Sequence, residues 1–210
     1  MSTFHPLTIQ KITKETSDAV SVLFDIPTNL KENFSFVAGQ YITIKKELDG
    51  KEVRRAYSIC ASPNSKQLQV AIKAVDGGYF SVFATTKLKE GDVLEVAEPE
   101  GKFVLNPEAS KNYIAFAAGS GITPMLSIIK THLKLEPDCT FKLFYLNRTA
   151  KSIIFKEEIE QLKNSYFQRF HTFHFLTKEQ RDIEFLNGRF TPDKLKILTD
   201  TFIDIEDTAH

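Results

Sequence analysis

From residue 112 onward the chain alternates strand-like and helix-like runs, and few folds accept that order. The runs "NYIAFAA", "TFKLFYLN" and "RFHTFHFLT" are short and rich in aromatic or apolar residues, and each is followed by a helix-like run: "TPMLSIIKTHLKL", "SIIFKEEIEQLKNS" and "TPDKLKIL". Strands that are each followed by a helix build a parallel sheet flanked by helices. The half before residue 106 has a different texture. There "LTIQKI", "AVSVLFDI", "QYITIKK", "RAYSIC", "LQVAIKAV" and "DVLEVAEP" follow one another, separated by Pro, Gly, Asn and Asp. This order predicts a small antiparallel barrel or sandwich. Within it "YFSVFATTKLKEG" predicts a short helix, since Phe80, Phe83 and Leu88 recur at helical spacing ahead of Gly91. The stretch "LNPEASKN" reads as a linker, which gives two domains, 1–105 and 106–210.

Charge and cysteine usage exclude several classes of function. Lys plus Arg total 27 and Asp plus Glu total 27, so no bulk attraction to nucleic acid or to an anionic membrane is expected, and any anion site must be local. The N-terminus has no basic stretch followed by an apolar core, and no apolar run approaches the roughly 20 residues that span a bilayer. A cytoplasmic location without membrane contact is therefore expected. Cys60 and Cys139 are far apart in sequence. They offer no disulfide framework, no zinc spacing and too few thiolates for an all-cysteine iron–sulfur cluster, so no metal site is expected.

Three short stretches carry the chemistry. In "AFAAGSGITPMLSIIK" a strand runs through Gly119 and Gly121 into a helix. Glycines allow a sharp turn or a close approach to a ligand, Thr123 can cap the helix, and Pro124 suits its first position. The free N–H groups and the positive dipole end suit a phosphate, although a ligand-free strand–helix turn asks for the same residues. In "RRAYSICASP" strand alternation puts Arg55 and Tyr57 on one face, with Arg54 and Ala56 on the other. A guanidinium beside a phenol suits a ligand with both a phosphate and a flat ring; a cross-strand surface pair is the other reading. In "IKAVDGGYFS" a strand leads through Gly77 and Gly78 to a helix start, where free amides and the Ser81 hydroxyl can hold phosphate or simply close the turn.

Taken in order, these stretches resemble one family. R-x-Y-S (Arg55, Tyr57, Ser58), I-K-x-V followed by G-G-x-F-S (Ile72 to Val75, Gly77 to Ser81), P-x-G-x-F (Pro99 to Phe103) and G-S-G-I-T-P-M are similar to the flavin and nicotinamide signatures of the ferredoxin–NADP+ reductase superfamily. "FYLNRTAKSIIFKEEIEQL" is further similar to its oxygenase-reductase branch. The resemblance implies a six-stranded antiparallel β-barrel that binds flavin, followed by an α/β domain with a parallel sheet that binds the nicotinamide nucleotide. It implies that Arg55 holds the flavin phosphates, Tyr57 stacks on the isoalloxazine and Ser58 bonds near its N5. Ile72, Lys73 and Val75 would border the cofactor, and Gly77, Gly78, Phe80 and Ser81 would carry the pyrophosphate of FAD. Ala74 stands where a basic residue is frequent, which bears on FAD over FMN.

For the second domain the resemblance implies that Gly119, Ser120, Gly121, Thr123 and Pro124 receive NADPH or NADH. Arg148 in "LNRT", and Thr177 with Lys178 in "FLTKE", would meet the ribose end at the carboxyl edge of the sheet. Tyr57, Ser58 and Thr123 are the implied catalytic positions. The implied reaction passes hydride from NAD(P)H to FAD and then single electrons to an iron–sulfur protein or domain, with an oxygenase as the expected system. A non-catalytic flavin- or nucleotide-binding module, and a free flavin or ferric reductase, are the alternatives. Family members continue into a strand carrying a C-G-P type motif, and relatives in the branch add an iron–sulfur domain, whereas this chain stops after "LTDTFIDIEDTAH". The expected consequence is an incomplete parallel sheet with its last edge unpaired.

Overall fold

The computed structural model describes residues 3–105, 112–202 and 208–209. The chain divides into two compact units, one of Met1–Leu105 with Thr123–Thr131 and one of Asn106–Ile122 with His132–His210.

In the first unit six strands, β1 (Phe4–Thr16), β2 (Ala19–Asp25), β3 (Tyr41–Leu48), β4 (Lys51–Ser58), β5 (Leu68–Lys73) and β6 (Val93–Ala97), form one antiparallel sheet in the order β4-β3-β6-β1-β2-β5. The β3–β4 hairpin closes on Asp49-Gly50, both at positive φ, the pairing that matches the natural twist of a two-residue hairpin. Leu7, Ile9, Val22, Ile42, Ile44, Val70 and Ile72 supply the buried face, and Phe80 and Ala84 pack into it from helix α1 (Tyr79–Thr86). That much follows from period-two alternation.

The closed barrel expected from the sequence is not what forms. The sheet is open, with β4 and β5 at its two ends and no ladder between them. They meet at a single bridge, Ile59 to Val70, just beyond the end of β4. Closure needs a continuous register between the end strands. Here β4 stops at Ser58, and a tight turn at Pro63–Ser65 carries the chain to a β5 of only 6 residues.

The segment after β6 folds against the start of β3. Tyr41 and Glu100 exchange both backbone hydrogen bonds at 2.9 Å, and Gln40 Nε2 donates to the Gly101 carbonyl at 3.4 Å.

In the second unit β7 (Asn112–Ala118), β8 (Thr140–Asn147) and β9 (Phe170–Leu176) run parallel, with a two-residue strand β10 (Thr208–Ala209) beside β7. The edge expected to be unpaired thus has Thr208 and Ala209 in register with Asn112 and Tyr113. One face packs Phe144, Phe173, Phe175, Phe190 and Phe202 around Leu198 of helix α4 (Pro192–Phe202). At the other end of the sheet, Arg169 donates to the Leu133 and Glu136 carbonyls, both at 2.8 Å, and so caps helix α2 (Ile122–Leu135). Helix α3 (Lys156–Ser165) starts later than its amphipathic pattern suggests. Phe155 adopts a left-handed φ of 59°, and Thr149 and Ser152 cap each other around a separate short turn. Both cysteines are buried, and neither is in a disulfide among the described residues. Among the described residues no helix is long and apolar enough to cross a membrane, and no group of His, Cys, Asp and Glu can hold a metal ion.

Gly39 marks the tightest approach in the first unit. It has φ 99°, and a Cβ placed on it would lie 1.9 Å from the Phe103 carbonyl oxygen. Gly39→Ala is therefore expected to cost at least about 2 kcal/mol, visible as a lower urea midpoint.

Candidate functional site

The flavin-side residues come together through the register of β3 and β4. Arg55 stands opposite Ile44 and Tyr57 opposite Ile42, and both isoleucines are fully buried. Residues directly opposite share a face, so Arg55 and Tyr57 lie on the core side of β4. Arg54 faces the other way, opposite Lys45, and its Nε pairs with Glu52 at 2.8 Å. Arg55 is different. Its Nη1 donates to the Arg54 carbonyl at 2.7 Å, and among the described residues it has no carboxylate partner.

Tyr57 packs on the core with its ring 5.9 Å from that of Phe80, which ties β4 to the start of α1. Burial pushes its phenol up to about 12, with the nearby Arg55 pulling weakly the other way. The ring is thus neutral at physiological pH. Ser58, half-buried, stands opposite Tyr41.

The turn into α1 explains its glycines. Gly77 has φ 67°, and Gly78 N–H donates to the Val75 carbonyl at 2.8 Å. A Cβ on Gly78 would meet Ser81 Oγ at 2.4 Å and the Val75 oxygen at 2.9 Å. Ser81 Oγ accepts from Val75 N–H at 3.1 Å, so its hydroxyl closes the turn and keeps its own proton to donate. Of Phe80 only the backbone can meet a ligand, because its side chain lies in the core. Ile72 is likewise buried, opposite Val20, while Lys73 Nζ lies 3.6 Å from Asp18. The first N–H groups of α1 have no intrahelical acceptor.

In the second unit Gly119–Gly121 form a tight turn, with Gly119 at φ 52°. Helix α2 begins at Ile122 with Gly121 in the cap position. Thr123 and Pro124 are therefore the second and third helical residues, not the cap and the first. Pro124 still falls in the first turn, where a missing N–H breaks no helical bond. Gly121 has an ordinary helical φ of −62°, and a Cβ on it would meet nothing within 4 Å. Neither conformation nor packing asks for glycine there. The exposed Ser120 stands beside it.

Arg148 and Lys178 are both exposed, and the tips of β8 and β9 run on side by side. Lys178 N–H donates to the Arg148 carbonyl at 2.8 Å and Thr177 N–H to the Asn147 carbonyl at 3.0 Å.

Two residues that sequence reasoning did not single out sit under the turn. Tyr145, fully buried, donates from its hydroxyl to the Gly119 carbonyl at 2.8 Å. Asn147, two residues on along the same face, is 5% exposed, and its Nδ2 has no hydrogen-bond partner among the described residues. The signal was a pair of polar residues at period two in the otherwise apolar end of "TFKLFYLN". Among the described residues the first unit offers an arginine without a carboxylate partner, helix-start amides and a neutral ring, and the second offers open space at Gly121 and an unpaired buried amide; each set suits a phosphate-bearing nucleotide.

Residues 6–105 match the oxidoreductase FAD-binding domain and residues 116–209 the oxidoreductase NAD-binding domain. The chain is similar to one of the subunits of the 1,2-phenylacetyl-CoA epoxidase of Escherichia coli (strain K12), 44% identical over 200 residues, which cover 94% of this chain and 56% of that one. It is also similar to the ferredoxin reductase component of 3-ketosteroid-9-alpha-monooxygenase of Rhodococcus rhodochrous, 34% identical over 177 residues, or 83% of this chain and 50% of that one. The chain thus spans about half the length of these relatives. Its fold is that of a ferredoxin NADP+ reductase from Neisseria gonorrhoeae solved with bound FAD and NADP, with TM-score 0.81 and 21% identity over 99% of this chain and 84% of that one.

Two substitutions test the geometry. Arg55→Ala is expected to lower FAD affinity about tenfold or more, and Arg54→Ala to leave it nearly unchanged, in equilibrium titrations of the apoprotein. Gly121→Ala is expected to leave stability within about 1 kcal/mol in urea unfolding while weakening dinucleotide binding in calorimetric titration. A large stability loss would mean that the glycine serves the fold.

Proposed function

We propose, for a chain that belongs to the FAD- and NAD-binding oxidoreductases of the ferredoxin–NADP+ reductase-like superfamily, that it is the NAD(P)H-oxidising part of an electron-transfer system. Residues 1–105 serve as the FAD-binding domain and residues 106–210 as the NAD(P)-binding domain. Bound FAD supplies the chemistry that the side chains lack, exchanging two electrons with the nicotinamide and releasing them singly to an acceptor. The chain's own residues bind and orient.

Arg55 neutralises phosphate charge and the amides at the start of α1 take the pyrophosphate of FAD, with Gly77, Gly78 and Ser81 holding the turn open for it. Tyr57 offers a neutral ring face, and Ser58 a hydroxyl to the reactive edge of the flavin. Ser120, Gly121 and Thr123 receive the second nucleotide. Arg148, Thr177 and Lys178 meet its ribose end, where the cations favour a 2′-phosphate and hence NADPH, although the point charge of Lys178 selects less sharply than a planar guanidinium does. Hydride transfer then depends on positioning rather than on an acid or base. The observation that carries this reading is the pairing on one face of Arg55, without a counter-ion among the described residues, with Tyr57 against Phe80 of α1.

The acceptor is an iron–sulfur protein or domain of an oxygenase system. What supports this is that the relatives named above are components of an epoxidase and of a monooxygenase, one of them a ferredoxin reductase component. The place of action is the cytoplasm, where NAD(P)H is supplied.

The test is to reconstitute the purified chain with FAD, record its visible spectrum and add NADPH or NADH without oxygen. Bleaching of the flavin band by at least one nucleotide, and its return on adding a one-electron acceptor such as ferricyanide, is the expected result. A chain that takes up no FAD overturns the flavoprotein reading. One that binds FAD and stays oxidised with both nucleotides is a binding module instead.

A further inference from the structure

We propose that Asn147 is a dinucleotide-binding residue, donating a hydrogen bond from Nδ2 to a diphosphate oxygen of NAD(P)H at the Gly119–Gly121 turn; the proposal rests on the NAD(P)H-binding reading above. Three observations carry it. The first is placement. Asn147 shares a face of β8 with Phe141, Leu143 and Tyr145, and the Tyr145 hydroxyl bonds the Gly119 carbonyl, so this is the face beneath the turn. The β7–β8 ladder pairs Ala117 with Tyr145 and Ala118 with Leu146. One step further along both chains brings Gly119 and Asn147 side by side.

The second observation is energetic. Asn147 is 5% exposed and its Nδ2 has no partner among the described residues. A buried N–H without an acceptor weighs against folding, whereas an apolar side chain of the same size would continue the apolar face at no such cost. The fold does not need this amide. The third is chemical complementarity. The positive end of the α2 dipole lies at the same turn, so an acceptor arriving there is anionic and oxygen-rich. A phosphate oxygen accepts from the amide and carries the charge that the dipole favours.

A contact to the diphosphate does not involve the 2′ position. It therefore acts equally on NADH and NADPH, unlike changes at Arg148 or Lys178. The experiment uses the full chain reconstituted with FAD, calorimetric titration with NADP+ and with NAD+, and thermal unfolding without nucleotide. Asn147→Leu is expected to weaken binding of both dinucleotides about tenfold while leaving the Tm equal to or above that of the parent chain. Asn147→Asp keeps the shape, removes the donor and adds a negative charge, and is expected to weaken binding at least as far. Unchanged affinity in both variants overturns the proposal and leaves the NAD(P)H reading standing. A lower Tm for Asn147→Leu together with unchanged affinity for Asn147→Asp shows a structural role and also overturns it. Failure of the parent chain to bind either dinucleotide overturns the underlying reading along with it.

Discussion

Parallel pairing brings the carboxyl ends of neighbouring strands to one edge, and the unbroken β7–β8 ladder, from Asn112 opposite Thr140 to Ala118 opposite Leu146, is the constraint on which the second unit's site depends. It fixes where the chain leaves β7 and therefore where Gly119–Gly121 must turn. It also decides which side chains lie below that turn. Because strand side chains alternate, a slip of one residue would move Tyr145 and Asn147 to the opposite face and put Phe144 and Leu146 in their place. The hydroxyl that holds the Gly119 carbonyl would be lost, and Phe144 would leave the aromatic cluster around Leu198. Packing on one face thus enforces the polar arrangement on the other.

The first unit reaches a comparable result by antiparallel register. Pairing of β3 with β4 keeps Arg55 and Tyr57 on the same side as Ile44 and Ile42, and the Tyr57–Phe80 contact binds that face to α1. Phe80 is anchored in the core, so the amides that begin α1 take a defined position relative to β4. The guanidinium of Arg55 at the exposed end of this row keeps access to solvent while Tyr57 supplies apolar contact. A guanidinium and a ring-bearing group are set two residues apart on one face by the pleat alone.

Elements set by local rules were legible in the sequence. The strands and the strand–turn–helix at Gly119 follow from alternation and turn chemistry, and the facing of Arg55 and Tyr57 follows from period two. Features set by partners distant in sequence were not. Whether six strands close depends on the register of β4 against β5, and no local pattern encodes it. The start of α3 was hidden because Phe155 takes a left-handed φ that favours glycine or asparagine, while its side chain is buried and continues the apolar pattern. At the Gly119 turn the helix begins two residues earlier than a Thr123 cap and a Pro124 first position suggest, since Gly121 takes a helical φ itself. Tyr145 and Asn147 stayed unread for the same reason. Their importance comes from a turn that lies 26 residues before Tyr145.

Stability alone does not call for three of the residues. Among the described residues Arg55 stands without a carboxylate while its neighbour Arg54 has one, Gly121 occupies an ordinary helical conformation in open space, and Asn147 buries an unpaired amide. Elsewhere the local choices agree with the fold: Gly39, Gly77 and Gly78 are each required by φ or by a carbonyl or hydroxyl in the way, and Ser81 and Arg169 satisfy backbone groups at helix ends. Departures from that consistency gather where function outweighs stability. Each leaves something open among the described residues: a charge without a carboxylate at Arg55, a space at Gly121, a donor at Asn147. Oxygen-rich anions complete such sites, and a nucleotide brings several such oxygens at once.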